Sequence, residues 1–128
     1  MIIGFPFFLQ TWTHPQEMNA AMAEEFLAHC TASITTCWYL LRGYEFGVVE
    51  QALSHYVPTL ETLAYQPSKY QEIAAHLAAQ ARLLASLLAL HQNNIPSKEH
   101  HCKQAVQLGQ LAHDENLHVQ ALIPTCIL

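Results

Sequence analysis

Apolar residues recur at helical steps almost without interruption across residues 13–123, and nowhere do apolar and polar residues alternate long enough to make a convincing strand. This feature confines the chain to an all-α fold. The first stripe reads Met18, Met22, Phe26, Cys30, Ile34, Cys37 and Leu41, widened by Leu27 and Trp38. Thr13, Pro15 and Gln16 supply its start signal, and Gly43 is the expected stop, because glycine takes the left-handed conformation without steric cost. The second stripe, over residues 45–65, holds Val48, Val49, Ala52, Leu53, Tyr56, Leu60, Leu63 and Ala64. Pro58 interrupts it, and a missing N–H there predicts a kink or a break. Ser68 and Gln71 read as a capping box for the third helix, over residues 69–91. That helix carries Ile73, Leu77, Ala81, Leu84 and Leu88, with further alanines on its sides that let neighbours approach closely. Asn93-Asn94 ends it. Pro96-Ser97 opens a fourth helix through Cys102, Ala105, Val106, Leu108, Leu111 and Ala112. After a turn at residues 113–116, Leu117, Ala121 and Leu122 start a fifth helix that stops at Pro124.

Composition sharpens the expectation. The chain is 52% hydrophobic and only 12% charged, about half the charged fraction usual in soluble domains. Such a chain must bury much of its surface, internally or against something else. A net charge of -5 with five Lys+Arg argues against nucleic acid, which needs clustered cations to neutralise phosphates. The cysteines Cys30, Cys37, Cys102 and Cys126 form no C-x-x-C pair, and residues 1–12 lack the basic leader of a signal peptide and are too short to span a bilayer. Reduced, buried thiols in a cytoplasmic protein, away from membranes, are the expectation. By length the chain is one domain. It divides into an apolar segment (1–13), a first helix pair (14–66), a second helix pair (67–113) and a truncated next helix (114–128).

The two helix pairs have the look of a repeat. The breaks at Gly43 and Asn93 lie about fifty residues apart, within the range of solenoid periods. The second helices correspond through Val49-Glu50-Gln51-Ala52-Leu53 and Lys103-Gln104-Ala105-Val106, and the next unit would open with Asp114 and Leu117-x-x-x-Ala121. This arrangement resembles tetratricopeptide repeats. The resemblance grows more specific over Cys37-Trp38-Tyr39-Leu40-Leu41-Arg42-Gly43 and over residues 50–63, and covers roughly residues 16–123. There the chain is similar to the helical-repeat C-terminal part of large bacterial helix-turn-helix transcriptional regulators. The resemblance implies antiparallel helix pairs stacked as a fragment of a tetratricopeptide-like right-handed superhelix, without the regulator's DNA-binding domain. The units depart from the family pattern, being nearer fifty than thirty-four residues long.

Motifs for chemistry are sparse. Glu99-His100-His101-Cys102 is the densest cluster of metal-ligand types, but adjacent helical residues point about 100° apart, so solvated histidines in a first turn are expected. Only Glu115-x-x-His118 fits the Glu-x-x-His motif of di-metal bundles. There is no G-x-S-x-G elbow or glycine-rich phosphate loop, and Asp114 is the only aspartate. Cys30, Cys37 and Cys102 fall on or beside apolar stripes, where packing is their expected role. The sequence therefore predicts no catalytic residue, cofactor or metal. It predicts an interaction or sensory scaffold whose partner is a protein or peptide, neighbouring repeats of a parent chain, or a second copy through exposed apolar ends. An independent small helical bundle binding a metal or hydrophobic ligand is the alternative. Glu72, His76 and Gln80 share one strip of the third helix, and with His29 and Thr36 from the first they form the candidate partner-binding face.

Overall fold

The computed structural model describes residues 20–113, and these are all-helical: α1 (Ala20–Arg42), α2 (Phe46–Ala64), α3 (Gln71–His91) and α4 (Ile95–Leu111). The Thr13 start signal, the fifth helix, Glu115, His118 and Cys126 lie outside the described residues. Cross-helix hydrogen bonds give the topology. Cys37 meets Tyr56, Gln71 meets the Ala64 carbonyl, and Gln92 meets Glu50, so α1 and α3 each run antiparallel to α2. Arg82 meets His101, so α4 runs antiparallel to α3. Tyr70 reaches Ala20 and Glu24 while Gln80 meets Trp38, so α1 and α3 lie side by side and parallel.

α3 is the hub. It packs against all three other helices, most extensively against α4, whereas α1 and α4 share no substantial packing. Buried Ala74, Ala75, Ala78, Ala79, Ala81 and Ala89 let backbones come close on several sides, and Leu77, Leu84 and Leu88 fill the gaps. α3 is also the one helix among the described residues long and apolar enough to cross a membrane, but most of that apolar stretch is buried against its neighbours. Around it pack Phe26, Cys30, Ile34 and Cys37 from α1, Val49, Tyr56 and Leu60 from α2, and Ala105 and Leu108 from α4. Two residues expected in the core are outside it: Ile73 is 51% exposed and Val48 is 37% exposed. Each sits at the flank of its stripe, where no neighbouring helix covers it.

The turns differ from expectation in instructive ways. Gly43 does not take the left-handed conformation; Tyr44 does, at φ 61°. The Glu45 N–H donates to the Leu40 carbonyl and the Tyr44 N–H to the Leu41 carbonyl, which is the Schellman pattern shifted one residue beyond the glycine. The break after α3 repeats it. Asn93 has φ 57°, with Asn94 donating to Ala89 and Asn93 to Leu90. The Asn94 side chain then caps α4 by accepting from the Ser97 N–H at 3.2 Å, with Pro96 in the first turn. Ser68 and Gln71 form no capping box. Ser68 Oγ accepts from the Tyr70 N–H, and the Gln71 amide turns away to donate to the Ala64 carbonyl at 3.1 Å. Pro58 does not break α2, which continues through it to Ala64. Tertiary packing of Tyr56, Leu60 and Leu63 on either side holds the helix together despite the lost hydrogen bond.

The hub predicts a graded response to truncation. Leu84→Ala should cost about 2–5 kcal/mol, as for a fully buried leucine. Glu72→Ala should cost less than about 0.5 kcal/mol because Glu72 is exposed. Gln80→Ala should fall between them, at about 0.5–1.5 kcal/mol, because it strands the Trp38 indole N–H. Denaturant titration of the three variants measures the order, and an inverted order would mean that α3 is turned the other way.

Candidate functional site

The expected partner face divides when its residues are placed on the helices. On α3, Glu72 is exposed, and His76 and Gln80 are half-buried beside exposed Ile73. Gln80 Oε1 accepts from the Trp38 indole N–H at 3.3 Å, so this strip faces the α1–α3 seam. On α1, however, His29 and Thr36 lie about 180° and 160° around the helix from Trp38. His29 Nε2 sits 3.9 Å from Glu25 on its own helix, and the Thr36 hydroxyl donates to the Ala32 carbonyl. The structure therefore groups Glu72, His76 and Gln80 with Trp38 and Ile73, and leaves His29 and Thr36 on the far side of α1. Helical spacing defines a strip on each helix but not the rotation of α1 against α3. Beside Trp38, residues Thr35, Tyr39 and Arg42 line a shallow cavity of about 210 Å³. The Arg42 guanidinium lies 5.9 Å from the exposed Tyr39 ring.

A second, larger site lies on the opposite side of α3. Arg82 is the only arginine or lysine of an otherwise alanine- and leucine-rich helix, with its side chain 17% exposed. A cation so far removed from water needs charged partners. Glu61 from α2 supplies them: the Arg82 Nε–H donates to one carboxylate oxygen and an Nη2–H to the other at 2.8 Å, a bidentate pair. Nη1 of the same guanidinium approaches His101 Nδ1 on α4 at 2.8 Å. Arginine only donates, so Nδ1 accepts and the proton of neutral His101 resides on Nε2. Burial, the positive charge of Arg82 and the neighbouring His100 together lower the His101 pKa to about 4 against the opposing pull of Glu61. One guanidinium thus ties α2, α3 and α4 together. The sequence expectation of solvated histidines holds for exposed His100 and fails for His101. Arg82, alone among apolar neighbours, was the signal that a carboxylate had to face it.

Next to this triad the surface opens into a trough of about 480 Å³, walled by α2 and α4 and floored by α3. Leu53, Val57, Ala85, Leu88 and Ala89 give it an apolar lining, and Glu50, Ser54, Gln92 and Ser97 add polar groups with Arg82 and His101.

The buried thiols form a different kind of place. Cys37 Sγ lies 3.8 Å from the Tyr56 hydroxyl, and burial raises the pKa of Cys30, Cys37 and Tyr56 above their ordinary values. Protonated thiols in a closed core act as small apolar side chains. Among the described residues, no three His, Cys, Asp or Glu side chains are grouped to hold a metal ion. No known protein family, curated protein or solved structure matches this chain.

His101 generates a pH prediction. Its folded pKa is depressed to about 4 from about 6.5 in the unfolded chain. Between those values the unfolded state binds a proton that the folded state does not, so stability rises with pH across that window. Above about 6.5 the contribution is complete, and it is lost progressively as pH falls toward 4. Melting temperatures of wild type and His101→Gln, measured from pH 7 to pH 4, should converge as the pH falls. Parallel curves would show that His101 carries no such linkage.

Proposed function

We propose that this chain is a non-catalytic interaction or sensory scaffold, a piece of a tetratricopeptide-like array of antiparallel helix pairs. On this reading it is cytoplasmic and works as in the helical-repeat region of bacterial transcriptional regulators that it resembles in sequence. Its partner is a protein or peptide or the neighbouring repeats of a parent chain, with association through apolar ends as a further route and no direct contact with nucleic acid or membrane. One observation carries the proposal: α1 and α3, the first helices of the two pairs, lie parallel and in contact, while α1 and α4 share no substantial packing. A stack in which each element touches mainly the next has that pattern, whereas a closed bundle would bring α1 back onto α4. The two Schellman turns at Tyr44 and Asn93 add support, because equivalent breaks in a repeat are expected to close alike.

The partner face of this scaffold is the α1–α3 seam: Glu72, Ile73, His76 and Gln80 with Trp38. An indole, a half-exposed isoleucine and convergent polar groups are the mixture that anchors peptide segments. His29 and Thr36 lie outside it.

The architecture is tested by native-state hydrogen exchange. Amides of α1 should exchange through an opening at least about 1 kcal/mol easier than that protecting residues 77–88, since α1 can peel away while α2–α4 stay packed. A single global opening for all four helices would favour the closed bundle. The interaction is tested by selecting binders from a displayed random peptide library. Recovered peptides should bind saturably and lose binding on Ile73→Asp, a substitution at a solvent-facing position. Undiminished binding to that variant removes the seam as the partner face.

A further inference from the structure

The trough between α2 and α4 has features that a mere packing defect would not share. Both ends are bridged by side chains. At one end Glu61, Arg82 and His101 link α2, α3 and α4. Toward the other, the Gln92 amide donates to Glu50 Oε2 at 3.3 Å, linking α3 back to α2. Arg82 and Gln92 are ten residues apart on α3, so the space between them is about 15 Å long. Ends bridged in this way favour a molecule of finite length over a chain passing through. The volume of about 480 Å³ lies in the range of small-ligand sites. Ala85 and Ala89 keep the floor low where larger side chains would fill it.

The charges then select the occupant. Arg82 is matched by Glu61, and His101 is neutral. Glu50 is left as the unmatched charge on the trough wall; among the described residues no cation lies within ion-pair distance of it, its partner being the neutral Gln92 amide. The triad end offers His101 Nε2–H, a donor suited to a neutral oxygen. The geometry points to this trough as a binding site for an elongated amphiphilic amine. Its ammonium group pairs with Glu50, its apolar body lies over Leu53, Ala85 and Leu88, and its far end meets the Arg82–His101 bridge. The site does not rest on the repeat reading, since the trough involves only α2, α3 and α4.

Decylamine, decanol and decanoate share a body and differ in head charge, so titrating each into the whole chain by calorimetry below its micelle concentration tests both site and class. Decylamine should bind saturably at one site. It should bind about fivefold tighter than decanol, the gain expected of a solvent-exposed ion pair, with decanoate weakest. Glu50→Gln should erase the amine-over-alcohol preference while leaving decanol binding unchanged. Ala85→Phe should abolish binding of all three, and Val57→Trp, filling the trough from the opposite wall, gives the same readout should the first variant not fold. Absence of saturable binding overturns the site, as does binding indifferent to both filling variants. Tightest binding of decanoate overturns the amine assignment, and equal binding of all three heads removes the role given to Glu50.

Discussion

Close approach to α3 is the constraint from which the rest of this structure follows. A helix whose sides are lined with alanine lets neighbouring backbones come nearer than leucine on leucine would allow. α3 offers such sides in several directions at once, and α1, α2 and α4 each settle against one of them. The large apolar side chains of the flanking helices, such as Phe26, Tyr56 and Leu108, then project into the remaining gaps. Helices that meet the hub on different sides need not meet each other, which is why α1 and α4 lie apart. The low charge content has the same origin: most of the surface of α3 faces protein, and a charged side chain there would have to be matched.

Arg82 is the place where a charge was placed there nonetheless. Its position on α3, between α2 and α4, removes most of its water, and the bidentate carboxylate of Glu61 replaces that hydration. The cost of leaving such a cation unpaired fixes the relative height of α2 and α3, and the contact with His101 fixes α4 in turn. Apolar alanine packing is tolerant of sliding; a bidentate ion pair is not. The triad therefore sets a register that the hydrophobic stripes alone leave free, and the trough beside it inherits its dimensions from that register.

How much of this was legible in the sequence depends on the range of the information. Stripes on single helices were legible because burial follows the 3.6-residue period: Phe26, Cys30, Ile34 and Cys37, or Leu77, Ala81, Leu84 and Leu88, are all buried. The breaks near residues 43 and 93 were legible too, although glycine drew attention from the residue that takes the strained conformation. Tyr44 tolerates φ 61° with its ring against Phe46 and His91, at centroid distances of 5.7 and 6.3 Å. What was not legible is how one helix is rotated against another. His29 and Thr36 stay off the seam for that reason, and Glu61, Arg82 and His101, on three different helices, could not be joined from spacing. Of the kink or break expected at Pro58, the break does not occur, because packing on both sides of the proline holds α2 together.

Gln80 and Arg82 show how one hub serves two surfaces. They are two residues apart and so point about 160° from each other around α3. Gln80 looks to Trp38 and the seam with α1; Arg82 looks to Glu61 and His101 and the trough beyond. Most of the alanines and leucines between these two strips are buried, and among the described residues no hydrogen bond joins the Gln80 contact to the Arg82 triad. Any influence between seam and trough must pass through the rigid body of α3 or through α2, which touches both α1 and α3. Well-packed interiors transmit displacement rather than charge. A partner at the seam and a ligand in the trough would therefore sense one another only if one of them moved α3 or α2 as a whole. The bidentate anchor at Arg82 resists that movement between α2 and α3, whereas α1 is held to α3 by alanine-rich packing, the Trp38–Gln80 hydrogen bond and the Tyr70 hydroxyl at the start of α3, none of them a charged pair. The charged anchor of this fold thus lies on the trough side of α3, and the α1–α3 seam is held by neutral packing and hydrogen bonds that do not involve a buried ion pair.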